Sequence, residues 1–131
     1  MTENRKKVLV IDDEEDFCFF VRENLINSGK FDVVIATTGK RGLELAETEK
    51  PDIILLDMVM PDMSGEAVVE QLRENPVTAS IPVIFLTALV TRRDTGEEMF
   101  KKIGNSYFIA KPARTRELIG AIEKFLGSEG N

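Results

Sequence analysis

The sequence predicts a three-layer α/β domain built on a parallel sheet. Two observations carry this. Short apolar runs alternate with helical patterns five times along 131 residues, and right-handed crossovers then place the helices on both faces of one sheet. The runs at 8–11, 53–56 and 81–86 also lack polar alternation, as strands covered on both faces do. In such a sheet the crevice beyond the carboxyl ends of the strands is where ligands bind, so the residue that stops each run matters most.

Residues 8–11 form the first strand, which ends on Asp12-Asp13. Glu14, Glu15 and Asp16 follow at the start of a helix, whose positive end favours acids. Phe17, Val21 and Leu25, with Phe20 and Asn24 beside them, keep helical spacing and face the sheet until Ser28-Gly29. Residues 31–36 are the second strand. Thr37-Thr38-Gly39 opens a second helix, which carries Leu43, Leu45 and Ala46 and ends before Pro51. The third strand, Ile53 to Leu56, reaches Asp57. A turn from Pro61 to Gly65 follows, Ser64 caps the third helix, and Val68, Val69 and Leu72 form its buried side until Asn75-Pro76. Residues 81–86 are the fourth strand, with Pro82 near its start, and it stops on Thr87. Across 88–104 the pattern is broken: residues 91–96 interrupt any helix before Met99, Phe100 and Ile103 recover one. The fifth strand, 107–110, stops on Lys111-Pro112. Leu118, Ile119, Ile122, Phe125 and Leu126 give an amphipathic fifth helix, and 127–131 read as a frayed tail.

Composition removes whole classes of function. One domain suffices for this length. The balance of 17 basic and 23 acidic residues, net −6, argues against nucleic-acid binding by the chain itself. No run approaches the roughly 18 apolar residues of a membrane span, and the basic N-terminus lacks the apolar stretch of a signal peptide, so a cytoplasmic protein is expected. With no histidine there is no zinc constellation and no histidine general base. The single Cys18 reads as a buried small residue. Phe17, Phe19 and Phe20 read as core or subunit contacts.

Chemistry is then left to carboxylates, lysine, hydroxyls or an oxygen-bound metal. Asp12, Asp13, Asp57, Thr87 and Lys111 each terminate a predicted strand, whereas the second strand ends without charge on Ala36-Thr37. If the second strand lies at the edge, the other ends converge. Three crowded carboxylates need a compensating cation, and an all-oxygen set suits Mg²⁺. Asp57 then has the character of a nucleophile for a phosphoryl group. Lys111 and Mg²⁺ would neutralise the phosphoryl oxygens while the Thr87 hydroxyl donates to one.

The sequence resembles a response-regulator receiver domain of two-component signalling, similar to the chemotaxis regulators, across Lys7 to Leu126. The resemblance is carried by Val-Leu-Val-Ile-Asp-Asp-Glu at 8–14, Ile-Leu-Leu-Asp-Met-Val-Met-Pro-Asp-Met-Ser-Gly at 54–65, Pro-Val-Ile-Phe-Leu-Thr-Ala at 82–88 and Lys-Pro at 111–112. It implies a flavodoxin-like five-stranded parallel sheet in the order 2-1-3-4-5, in a single domain spanning 1–131 with its core at about 7–126; no output domain is expected within these residues, which are either a stand-alone regulator or a receiver from a larger protein. It also implies Asp57 as phospho-acceptor, with Asp12, Asp13, Asp57 and the Val59 carbonyl holding Mg²⁺. Thr87 and Phe108 become the switch pair, Lys111 a sensor of the phosphoryl group, and the Lys111-Pro112 bond cis. The implied partners are a histidine kinase or histidine phosphotransfer protein, a downstream protein target, and a second copy in a phosphorylation-dependent homodimer. The output is the surface of the fourth helix, fifth strand and fifth helix; the domain is regulatory, with self-phosphorylation and autodephosphorylation as its only chemistry. Four features depart from the family pattern: Val59 and Leu89 are apolar where the attacking water is bordered, Phe108 lacks a hydroxyl, Ala113 stands where Phe is common, and the segment 88–104 is long and broken, with Gly96 in its middle. Two alternatives are a receiver-like interaction module independent of phosphorylation, and an aspartyl-phosphate hydrolase, which would want an acid at position 59.

Overall fold

Side-chain alternation along the central strands builds the two halves of the core. In the computed structural model, which describes residues 5–87, 100–103, 106–111 and 115–130, the strands are β1 (Lys6–Ile11), β2 (Phe31–Ala36), β3 (Ile53–Asp57), β4 (Val83–Thr87), β5 (Phe100–Ile103) and β6 (Ser106–Ala110). Among the described residues the helices are α1 (Glu15–Asn27), α2 (Gly39–Glu49), α3 (Gly65–Glu74) and α4 (Thr115–Gly130), α4 being the expected fifth helix. Val8, Val10, Ile53, Leu55, Ile84 and Leu86 pack with Cys18, Val21 and Leu25 of α1 and Leu118 and Ile122 of α4. Their neighbours Leu9, Ile11, Ile54, Leu56 and Phe85 pack on the other face with Leu45 and Ala46 of α2 and Val68 and Leu72 of α3. Both faces are therefore covered, as the unbroken apolar runs require. Each fully buried Leu or Ile contributes about 1.5–3 kcal/mol of apolar burial.

The sheet order is β2-β1-β3-β4-β6-β5. Its five parallel strands are the predicted five in the predicted 2-1-3-4-5 order, β6 being the expected fifth strand. The register steps the strand ends past one another. Ile11 pairs with Leu56, Asp57 with Leu86 and Thr87 with Ala110, so Asp12, Asp57, Thr87 and Lys111 emerge side by side.

Local signals set the element ends. Thr38 Oγ1 accepts from Arg41 N at 3.1 Å and Ser64 Oγ from Ala67 N at 3.1 Å, each satisfying one orphan donor of a helix start. Asn75 is extended, as a residue before proline must be. Gly29 closes α1 at φ 79°, the left-handed region.

Three expectations are corrected. The helix expected around Phe100 and Ile103 is instead β5, antiparallel to β6, with Ile103 opposite Ser106. Backbone pairing decides this, with Phe100 opposite Ile109, Lys101 opposite Phe108 and Lys102 opposite Tyr107. On α1 the buried stripe is Cys18, Val21 and Leu25, with Phe17 partly buried against it, while Phe20 is 46% exposed. At about 100° per residue Phe20 falls well round the helix from the centre of that stripe. Phe19, 57% exposed, likewise lies outside the core. Finally, α4 continues to Gly130, where a frayed tail was expected from 127; no proline interrupts it, and each Gly costs only about 1 kcal/mol. Leu89, residues 91–96, Met99, Ala113 and the Lys111-Pro112 bond lie outside the described residues.

Candidate functional site

The carboxyl edge of β1, β3, β4 and β6 carries the site. Asp12 leaves β1 with its N–H bonded to Ala36 O at 3.0 Å, and its Oδ1 accepts from Glu14 N at 2.9 Å, which turns the chain into α1. Asp12 is fully buried, Asp57 nearly so, and Asp13 is partly exposed at the rim. Oxygen atoms of Asp12, Asp13 and Asp57 lie within 4.8 Å of one another. Three hard oxygen donors at that spacing fit a small divalent cation such as Mg²⁺, which fills its remaining positions with water. Asp57 responds to this crowding. Burial, then the Asp12 charge, push its pKa up to about 6, against the opposing pull of Lys111 and the Val59 N–H.

Lys111 closes the far side. Its backbone N–H donates to Thr87 O at 2.9 Å, tying the ends of β4 and β6 together. Its ammonium reaches Asp12 Oδ2 at 2.7 Å and Glu14 Oε1 at 2.5 Å, stands 3.8 Å from Asp57 Oδ2, and lies over the Phe17 ring at 4.6 Å. Burial works against this charge, but the bonds to Asp12 and Glu14 outweigh it and hold the lysine pKa above its ordinary value. Thr87 is buried at the end of β4.

The acceptor loop follows β3. Val59 is 62% exposed, and its N–H points to Asp57 Oδ1 at 3.4 Å, a long contact. Gly65 N donates to Met58 O at 2.9 Å, and a Cβ on Gly65 would stand 2.6 Å from Asp57 O, so only glycine permits this approach. Behind the edge, Phe108 stacks on Phe85 with ring centroids 5.3 Å apart and planes at 25°. Tyr107 points to the opposite face and meets Phe125 edge-on at 4.9 Å.

Asp12, Asp13, Asp57 and Lys111 are thus brought together, with Thr87 and Val59 flanking Asp57 along the chain edge and Phe108 one layer inward. Cys18 is buried as expected. Its thiol bonds to Asp12 O at 3.1 Å, and burial and the Asp12 charge push its pKa up to about 12. Glu14 and Phe17 were missed as neighbours of Lys111. The Asp-Asp-Glu run was the available signal for Glu14; nothing in the pattern marked Phe17 as a ring beneath the ammonium.

A doubly wound sheet thus carries an acidic pocket and a lysine at its carboxyl edge. The chain belongs to the response regulator receiver domain family of two-component systems, whose model matches residues 8–123. It is 36% identical over 121 residues to the alkaline phosphatase synthesis transcriptional regulatory protein PhoP of Bacillus subtilis, covering 92% of this chain and 48% of that protein. Against the polar-differentiation response regulator DivK of Brucella anthropi it is 31% identical over 122 residues, covering 93% of this chain and 97% of the relative. The chain therefore spans about half the length of PhoP and nearly all of DivK. Among solved structures, Vibrio cholerae chemotaxis protein CheY4 superposes with a TM-score of 0.76 at 26% identity, covering 92% of this chain and 98% of that one. The Francisella response regulator 1452 receiver domain gives 0.76 at 30%, covering 97% and 100%. Among the described residues no helix is long and apolar enough to cross a membrane.

Proposed function

We propose that residues 1–131 act as one receiver, a phosphorylation-activated switch in the cytoplasm that takes a phosphoryl group from a histidine kinase or histidine phosphotransfer protein onto Asp57. A partner must supply the phosphohistidine, because this chain has no histidine. The observation that carries the reading is the meeting of Asp57 with Asp12, Asp13 and Lys111 at one sheet edge. In the transfer, an Asp57 carboxylate oxygen attacks phosphorus, the P–N bond breaks, and the imidazole leaves with the bonding electron pair. The product is an acyl phosphate. Asp12, Asp13, Asp57 and the Val59 carbonyl would hold Mg²⁺, whose charge would offset that of the phosphoryl oxygens. Lys111 moves the remaining distance to a phosphoryl oxygen, and the Thr87 hydroxyl donates to another. Hydrolysis later breaks the acyl phosphate and releases inorganic phosphate, leaving the carboxylate as before. Val59 offers no second acid two residues after Asp57, which favours a slow switch over a hydrolase.

The output is conformational. New charge at Asp57 draws Thr87, and Phe108 repacks behind it, altering the surface around β6 and α4 that a downstream protein or a second copy reads. Beryllofluoride with Mg²⁺, a mimic of the bound phosphoryl group, tests the switch. Backbone amide shifts should move at Thr87, Phe108 and along β6. Shifts confined to the residues next to Asp57 would refute a switch while leaving phosphoryl binding intact.

A further inference from the structure

We propose that Asp62 and Met63 anchor the acceptor loop onto the start of α2, making Asp62 a positioning residue for the Val59 carbonyl and the Asp57 backbone. Asp62 stands 23 residues from its partner, yet its Oδ1 accepts from Gly39 N at 3.0 Å and its Oδ2 from Lys40 N at 3.1 Å. One carboxylate thus spans two of the unpaired N–H groups of a helix that already has its own cap in Thr38. Those two bonds also hold the Asp62 carboxyl below the usual carboxylate range.

Met63 adds a second point of attachment. Its side chain lies where a Cβ on Gly39 would be, with Met63 Cγ and Sδ both inside contact distance of that position, so glycine at the first turn of α2 makes room for the loop. At its other end the loop is held by Gly65 N on Met58 O at 2.9 Å. Val59 lies between these fixed ends, and its own N–H contact to Asp57 is long at 3.4 Å. Met60, buried in the core beside Val59, and the anchor on α2 together fix the stretch that carries the Val59 carbonyl.

The inference rests on the metal-dependent acceptor site proposed above. Two variants separate anchoring from simple helix capping. Asp62→Ala and Thr38→Ala each remove a cap from the start of α2, but only the first releases the loop. Mg²⁺ binding is read by calorimetry, loop opening by amide exchange of residues 58–65 in metal-free protein, and folding by thermal melting. Asp62→Ala should weaken Mg²⁺ binding about tenfold, the low end of the loss for outer-shell partners, and speed loop exchange. Thr38→Ala should leave both near the parent values, and Asp62→Asn, which keeps one accepting oxygen, should fall between. Equal effects in Asp62→Ala and Thr38→Ala, or no effect in either, would overturn the anchor while the acceptor site stands. Absence of Mg²⁺ uptake by the parent protein would overturn the acceptor site and take the anchor's metal role with it.

Discussion

The Lys111 ammonium is bonded to Asp12 rather than to Asp57: 2.7 Å from Asp12 Oδ2 against 3.8 Å from Asp57 Oδ2. Its charge is shared with Glu14, and the Phe17 ring supports it from one side. A divalent cation held by Asp12 would therefore meet this ammonium as a competitor for the same carboxylate.

Replacing the lysine should move metal affinity and stability in opposite directions. Lys111→Met leaves the buried Asp12 with its Glu14 N–H bond but without a countercharge, so the metal-free protein should lose about 2 kcal/mol of unfolding free energy in denaturant titration. Mg²⁺ should bind about tenfold more tightly by calorimetry, because its competitor is gone. Weaker Mg²⁺ binding in the variant would mean that the lysine supports the site instead of competing for it.

Asp57 gives a pH-dependent prediction for metal-free protein. Its folded pKa of about 6 lies above the ordinary 3.8, so the folded state holds the proton more tightly than the unfolded state. Stability from this group is present below about pH 4 and is lost as pH rises to about 6. Asp57→Asn lacks that loss. At pH 7 it should be more stable than the parent by about 1 kcal/mol after allowance for screening at the open mouth, and the gain should vanish below about pH 4. Added Mg²⁺ should stabilise the parent far more than the variant. Melting curves across pH, with and without metal, measure both.

The lifetime of the phosphorylated form should be long. Val59 is 62% exposed beside Asp57 and has no polar group to orient a water, and Leu89 is equally apolar in the sequence. The double variant Val59→Asn, Leu89→Glu should shorten the half-life about tenfold, a modest share of what a positioned polar group supplies. The decay of phosphoprotein measured after donor removal checks this, and unchanged decay counts against a role for these positions.

The Phe85 ring should hold Phe108 inward. Their stack contributes about 1 kcal/mol beyond area burial, so Phe85→Leu should lower stability by about 1–2 kcal/mol and free the Phe108 ring. Ring resonances of Phe108 should shift, while those of Tyr107, on the other face against Phe125, stay in place. Equal disturbance of both rings would point to general loosening.

The parallel core and the meeting of the strand-end residues were legible because both depend on where apolar runs stop. Ile53 to Leu56 ends on Asp57 whatever the helices do, and the register then brings Asp12, Thr87 and Lys111 alongside. What escaped depended on choices a linear pattern does not encode. A long lysine chain can reach several carboxylates, and its preference for Asp12 and Glu14 is a matter of three-dimensional distance. Phe100 to Ile103 has too few residues to separate a helical period from a strand's, and pairing with β6 decides it. Asp62 looks like an ordinary turn residue until Gly39 and Lys40 approach it from another element.

The most direct measurement of the central claim is intact-mass and peptide analysis after incubation with a small phosphodonor, with Mg²⁺ or with chelator. One phosphoryl group should appear only with Mg²⁺, map to the peptide holding Asp57, and be absent from Asp57→Asn. A mass gain that persists in that variant, or that forms equally well in chelator, would contradict Asp57 as the metal-assisted acceptor.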